Sequence, residues 1–178
     1  MKLFKILLYI VILAVFIRCQ QQNNSESKKA NKNSQPATSK ALEKANKYLI
    51  RTEYEDIENY IRRHGLDMEE TGSGLRYLII EDGNGPAAES GKTSVLDYKM
   101  SLLTGDIIYA SKNDGQIRFT IGKGNVESGL EEAMQFLQAG DKVKLILPAH
   151  LAYGLLGDNN KIPPRSTIIY DIEVIDIK

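Results

Sequence analysis

The side chains able to do chemistry are few and scattered. The chain has one cysteine, Cys19, and two histidines, His64 and His150. A lone cysteine excludes an internal disulfide and a multi-cysteine metal site. Neither histidine has a nucleophile or a second ligand at motif spacing, so both read as surface residues. The spacing Gly122-x-Gly124 lacks the further glycine and the strand context of a phosphate loop, and Glu131-Glu132 suits the first turn of a helix. What remains is the segment Ala152-Tyr153-Gly154 … Ile162-Pro163-Pro164. It offers a phenol, which can donate or accept a hydrogen bond, and a proline pair whose fixed φ stiffens the backbone. Chemistry built from such parts is non-covalent and calls for no metal and no cofactor. On these residues alone Tyr153-Gly154 also reads as a plain turn, and Ile162-Pro163-Pro164 as a lead-in to a strand.

The elements around that segment alternate like a sheet. Strands are predicted over Leu75 to Glu81, Thr93 to Leu103, Ile107 to Ser111, Arg118 to Ile121, Lys142 to Leu147 and Thr167 to Ile177. In the last, Ile168, Tyr170, Ile172, Val174 and Asp176 share one face, and Ile169, Asp171, Glu173, Ile175 and Ile177 the other. One helix is predicted over Ser128 to Leu137, with Leu130, Met134 and Leu137 on one side. Several antiparallel strands and a single central helix define an α+β domain, a sheet that buries one face against that helix. Ahead of it, from about Lys40 to His64, Leu42, Ala45, Leu49, Ile50, Tyr54, Ile57 and Ile61 recur at helical steps, and Gly65 stops the pattern. Thr52 and Glu55 form a capping-box pair, which predicts a second helix starting near Glu53. The stripe either packs on its own domain or forms a homodimer through residues 40–64.

The N-terminus reads as an export signal. Lys2 and Lys5 precede an uninterrupted apolar run from Ile6 to Ile17, closed by Arg18. A spanning helix needs roughly 20 such residues, so this length suits a signal peptide, with a permanent anchor as the alternative. Cys19 directly after the run resembles the lipidation site of bacterial lipoproteins, although Arg18 stands where that pattern has a small residue. Residues 20–36, QQQNNSESKKANKNSQP, hold Ala30 as their one apolar side chain and predict a disordered tether. The expected organisation is a signal at 1–18, a lipidated cysteine and tether at 19–38, a helical segment at 39–65 and a folded domain at 66–178. Three of the 23 basic residues lie in the first 19 with no acid, so the rest carries 20 basic against 23 acidic residues, which gives no electrostatic footprint for nucleic acid.

Several spaced pieces then line up: Tyr98, Leu102-x-x-Gly105, Phe119-Thr120-Ile121-Gly122, Gly129-Leu130-Glu131-Glu132-Ala133, Ala139-Gly140-Asp141-Lys142, Leu147-Pro148, Ala152-Tyr153-Gly154, Ile162-Pro163-Pro164-Arg165-Ser166-Thr167 and Tyr170-Asp171-Ile172-Glu173. This ordered set resembles the FKBP family of peptidyl-prolyl isomerases over about Gly74 to Lys178. The anchor, spacer and helix resemble the family's bacterial lipoprotein members, one subgroup of which is associated with gliding motility in Bacteroidetes. The resemblance implies an isomerase of proline-containing envelope polypeptides, held by lipid at the outer membrane and facing the periplasm. It places Tyr98, Tyr109, Tyr153 and Tyr170 in the catalytic pocket. Ile108, Ile117, Phe119, Val126, Leu130 and Ile162 would line it, the Glu127 N–H would hold a ligand carbonyl, the Tyr153 hydroxyl another, and Asp158 to Ile162 would form a flap.

The pattern breaks inside the pocket. Most active members carry an aromatic residue and an aspartate where this chain has Ile108-Tyr109, a large aromatic floor where it has Leu130, and an apolar residue where it has Glu127. Losing an aromatic wall weakens proline binding by about 1–3 kcal/mol, and each 1.4 kcal/mol is about tenfold in rate. The alternative to a working isomerase is therefore a catalytically weak binding module in an envelope machine.

Overall fold

The computed structural model describes residues 35–178, so the expected signal, Cys19 and most of the tether lie outside the described residues. The chain divides into two compact units, Met1–Leu49 and Ile50–Lys178. A single helix, α1 (Gln35–His64), runs through the place where a second start was expected at Glu53. No glycine or proline falls between Pro36 and Gly65, so nothing interrupts the ladder, and Pro36 sits in the first turn, where its missing N–H is harmless. This helix also begins within the segment expected to be disordered through residue 38. Gly65 ends it at φ 62°. Among the described residues no helix is long and apolar enough to cross a membrane.

Unit 2 contains the last turns of α1 and a seven-stranded antiparallel sheet. Its strands are β1 (Glu69–Glu70), β2 (Arg76–Glu81), β3 (Thr93–Leu102), β4 (Ile107–Ala110), β5 (Ile117–Thr120), β6 (Lys142–Leu147) and β7 (Ile168–Ile177). They lie in the order β1-β2-β6-β7-β3-β4, and β5 pairs with the first half of β3 on the same side as β4. The α+β expectation is met. The boundary between helix and domain moves, because the compact unit starts at Ile50 rather than residue 66.

The concave face of the sheet carries the main core. Ile168, Tyr170, Ile172 and Val174 of β7 are buried there, as alternation requires. The expected alternation fails at the last two residues. A bulge at Val95/Leu96 shifts the β3–β7 register, so Ile177 is buried and Asp176 is not. The helix over this face is shorter than expected. It is α-helical over Ser128–Ala133 (α3, after a one-turn α2 at Ser111–Asp114), then tightens to a 3-10 turn at Met134–Phe136. Gly129 lets α3 sit directly on β6, since a Cβ there would lie 2.7 Å from Leu147 Cγ.

The opposite face holds a small second cluster of Ile57, Ile146 and Ile169. Polar contacts fix the same end of α1. Glu53 accepts the Ala149 N–H and the Thr167 hydroxyl, each at 2.7 Å. The buried Arg76 guanidinium bonds Glu58 at 3.0 Å, Glu70 at 3.1 Å and the Gly74 carbonyl at 2.7 Å, and lies over the Tyr54 ring. Of the apolar stripe, then, Ile57 is buried and Ile50 stays 60% exposed.

This asymmetry sets a test. Ile57→Ala should destabilise the domain by about 2–5 kcal/mol in urea unfolding, whereas Ile50→Ala should change it by under about 0.5 kcal/mol. Equal effects would contradict the placement of Ile57 in the fold.

Candidate active site

Sheet register gathers the site. Tyr98 and Met100 alternate on β3 and so face the same way. Met100 lies opposite Tyr109 of β4 on one side and Tyr170 of β7 on the other, so three strands set these residues in a row. The Tyr98 and Tyr170 rings meet at 6.1 Å between centroids and a 58° tilt, within the range of favourable aromatic pairs. Ile117 of β5 and the loop Gly124–Glu127 complete one wall. Tyr153, just after the 3-10 turn Ala149–Leu151, and Asp158 complete the other. The cavity measures about 530 Å³ and is open to solvent.

Seven expected residues line this cavity: Tyr98, Tyr109, Ile117, Val126, Glu127, Tyr153 and Tyr170. Ile108, Phe119, Leu130 and Ile162 do not. Phe119, Leu130 and Ile162 are buried in the core behind the wall, and Ile108 packs against it from the rim. Leu130 is fully buried and stops short of the floor that an aromatic residue would form at that place. Met100, Gly124 and Asn125 line the cavity without having been expected to, and Asp158, expected in the flap, lines it as well.

The loop leading into α3 is pinned by Glu131, whose carboxylate accepts the Gly122 and Gly124 N–H groups, each at 2.9 Å. Glu131 therefore shapes the site from outside it, a role beyond the helix-start preference read from sequence. The Glu127 carbonyl accepts the first helical amides, from Leu130 and Glu131. Its own N–H makes no hydrogen bond among the described residues.

Glu127 also turns its carboxylate into the cavity. The Tyr170 hydroxyl donates to Glu127 Oε1 at 3.2 Å. Burial, and then the Glu127 carboxylate, push the Tyr153 phenol far above its ordinary value. Burial, and then the Glu127 charge, do the same to Tyr170. Both phenols therefore stay protonated and act as donors at any physiological pH. The Tyr153 hydroxyl expected to serve a ligand carbonyl lines the same cavity as the Glu127 carboxylate, which acts on it.

The flap is anchored by a carboxylate of its own. Asp158 accepts the Tyr109 hydroxyl together with the amides of Asn160 at 2.9 Å and Ile162 at 2.7 Å. Asn160 Nδ2 donates back to the Tyr109 oxygen at 3.1 Å. Lys161 lies over the Tyr109 ring, 4.6 Å from its centroid, and its ammonium reaches the Ile108 carbonyl. Gly157 permits the sharp turn, with φ 70° and room for a Cβ denied by the Ile162 carbonyl at 2.1 Å. Burial alone would lift the Asp158 carboxyl, but the Tyr109 hydroxyl and the two amides outweigh it and hold it below the usual carboxylate value of 3.8. The anchoring is complete above that value and is lost as pH falls through the lower, folded value. Carboxyl-carbon titration by NMR should place the Asp158 midpoint below 3.8, and Tyr109→Phe should raise it. A midpoint unmoved by the substitution would contradict the anchor.

Comparison with known proteins agrees with this geometry. The family model for the FKBP-type peptidyl-prolyl cis-trans isomerase matches residues 85–175. The FKBP-type isomerase FkpA of Escherichia coli K12 is 34% identical over 122 residues, which cover 68% of this chain and 43% of that protein. An FK506-binding protein of Streptomyces anulatus is 37% identical over 101 residues, covering 55% of this chain and 82% of that one. The crystal structure of E. coli FkpA superimposes with a TM-score of 0.63 at 31% identity, over 79% of this chain and 66% of that one. The structure of AtFKBP13 gives 0.60 at 31% identity, over 63% of this chain and 99% of that one. The chain thus spans less than half the length of E. coli FkpA. A family match across half of the sequence, backed by these relatives and by the shared fold, shows that this chain belongs to the FKBP-type peptidyl-prolyl cis-trans isomerase family.

Proposed function

We propose that this protein is a peptidyl-prolyl cis-trans isomerase working on proline-containing polypeptides. The observation that carries this reading is the pairing of a Tyr98–Tyr170 aromatic wall with the unpartnered Glu127 N–H in one cavity. An X-Pro bond isomerises over tens to hundreds of seconds because amide resonance must be broken. A catalyst for it needs no nucleophile. It has to hold the twisted amide better than either planar form. The twisted amide is less charge-separated, so a water-poor pocket favours it, and a single N–H on a flanking carbonyl fixes its orientation. Tyr98, Ile117, Val126 and Tyr170 would contact the proline ring, and the flap would exclude water above it.

The full chain should accelerate cis-to-trans conversion of a Leu-Pro peptide over a buffer blank in a protease-free assay. Tyr98→Ala should lower that rate by about ten- to a hundredfold, for the loss of about 1–3 kcal/mol of wall contact. Folded protein that binds the peptide without turning it over would favour the binding-module reading, to which the Glu127 carboxylate in the cavity lends support. Folded protein that neither binds nor turns over the peptide would refute both.

The reading extends to location. An apolar run followed by Cys19 supports export and lipid anchoring at the cell envelope, with exported polypeptides as clients. Acyl chains on Cys19 would supply affinity at roughly 0.8 kcal/mol per buried CH₂. Cys19→Ser should shift the protein out of the membrane fraction or leave its signal uncleaved. An unmodified Cys19 in the wild type, with membrane association unchanged in the variant, would contradict it.

A further inference from the structure

The cavity holds a charge that nothing in it neutralises. The Glu127 carboxylate takes a hydrogen bond from the Tyr170 hydroxyl. Among the described residues it makes no ion pair. Hydroxyls satisfy oxygen lone pairs but leave the negative charge in place. The residue is half-buried, beside the apolar wall of Ile117, Val126 and Tyr170, so solvent screens it less than it would an exposed acid.

The other charges around the cavity have the same sign. Asp158 is part of the lining. Asp114 stands close enough to act, after burial and together with Glu127, on the Tyr98 phenol. The cation at the rim, Lys161, is engaged by the Tyr109 ring and the Ile108 carbonyl and does not line the cavity.

A peptide entering this pocket displaces water from around Glu127. A neutral or acidic side chain beside the proline would leave the carboxylate desolvated and unpaired, which is unfavourable. An ammonium or guanidinium beside the proline would supply the missing counter-charge. We propose that the Glu127 carboxylate makes this pocket select proline sites flanked directly by lysine or arginine. The inference rests on the isomerase reading and narrows its substrate class. Glu127 is thus a specificity residue through its side chain and a carbonyl holder through its N–H.

The test uses the full chain and two peptide series, with Lys, Leu or Glu placed before the proline or after it. Rates are read by exchange NMR at low and at high salt. In at least one series the Lys peptide should exceed the Leu peptide by about fivefold at low salt, the Glu peptide should be slowest, and added salt should compress the ranking. In Glu127→Gln the Lys-to-Leu ratio should fall to near one. A purely structural effect of the substitution, through the positions of Tyr153 and Tyr170, would change all peptides by the same factor and leave the ratio intact. An unchanged ratio in the variant, or no Lys preference at low salt in wild type, would overturn the proposal. If no peptide is turned over, the isomerase reading fails, and the same ratio is then read from NMR binding titrations, which keep the selectivity claim decidable by itself. The wild-type salt series keeps it decidable if Glu127→Gln does not fold.

Discussion

The Tyr170 hydroxyl sits at the end of a fully buried ring and has to find a hydrogen-bond partner. Left unpaired, a buried hydroxyl costs about 1–3 kcal/mol. Around Tyr170 its strand, β7, is paired by β6 on one side and β3 on the other, so the backbone cannot shift to accommodate it. The partner is Glu127, at the N-terminus of α3. That single bond joins the centre of the sheet to the loop that carries the free amide. It also explains how the Glu127 carboxylate comes to point into the cavity. An apolar residue at position 127 would give a better proline wall and leave Tyr170 to find another acceptor.

The acids of this pocket are arranged differently from those the family resemblance implies. That resemblance places an aspartate at position 109, where it would touch ligand and a neighbouring tyrosine. Here position 109 is itself the phenol, and the acid on it is Asp158, from the flap. The charge facing the proline site comes instead from α3, through Glu127. An acid–phenol contact persists, but it now anchors the flap, and the pocket charge has moved to the residue whose free amide is proposed to hold the substrate carbonyl. On the proposed reading, activity and selectivity are coupled through one residue. The loss of an aromatic floor at Leu130 and the gain of a charge at Glu127 act on different substrates, the first on every proline and the second on its neighbours.

Much of this was legible in the sequence, for identifiable reasons. Strand β6 follows its alternating charged and apolar residues from Lys142 to Leu147, and β7 follows its alternation until it bulges opposite Val95 and Leu96. A bulge leaves no composition signal, so the burial of Ile177 was not readable. Tyr98, Tyr153 and Tyr170 were expected in the pocket from the family resemblance that the ordered motifs carry. The line between wall and core was not, because it depends on side-chain reach: Phe119, Leu130 and Ile162 lie on the right elements and end one layer too deep. Asp158 had a readable signal in Gly157-Asp158-Asn159-Asn160, where an aspartate can bond amides ahead of it in the chain, as it does at Asn160 and Ile162. The Glu53 and Arg76 contacts join residues far apart in sequence, and only the fold reveals that the end of α1 belongs to the domain.

The central claim is that the Glu127 amide and the Tyr98–Tyr170 wall together form the proline site. An amide-resolved NMR titration of the full chain with a proline peptide tests it most directly. The account predicts that the Glu127 amide moves downfield as it bonds the peptide carbonyl, with accompanying shifts at Tyr98, Tyr153 and Tyr170 and little change along β1 and β2. A saturating titration that leaves the Glu127 amide unmoved, or that maps the peptide to the β1–β2 edge, would contradict it.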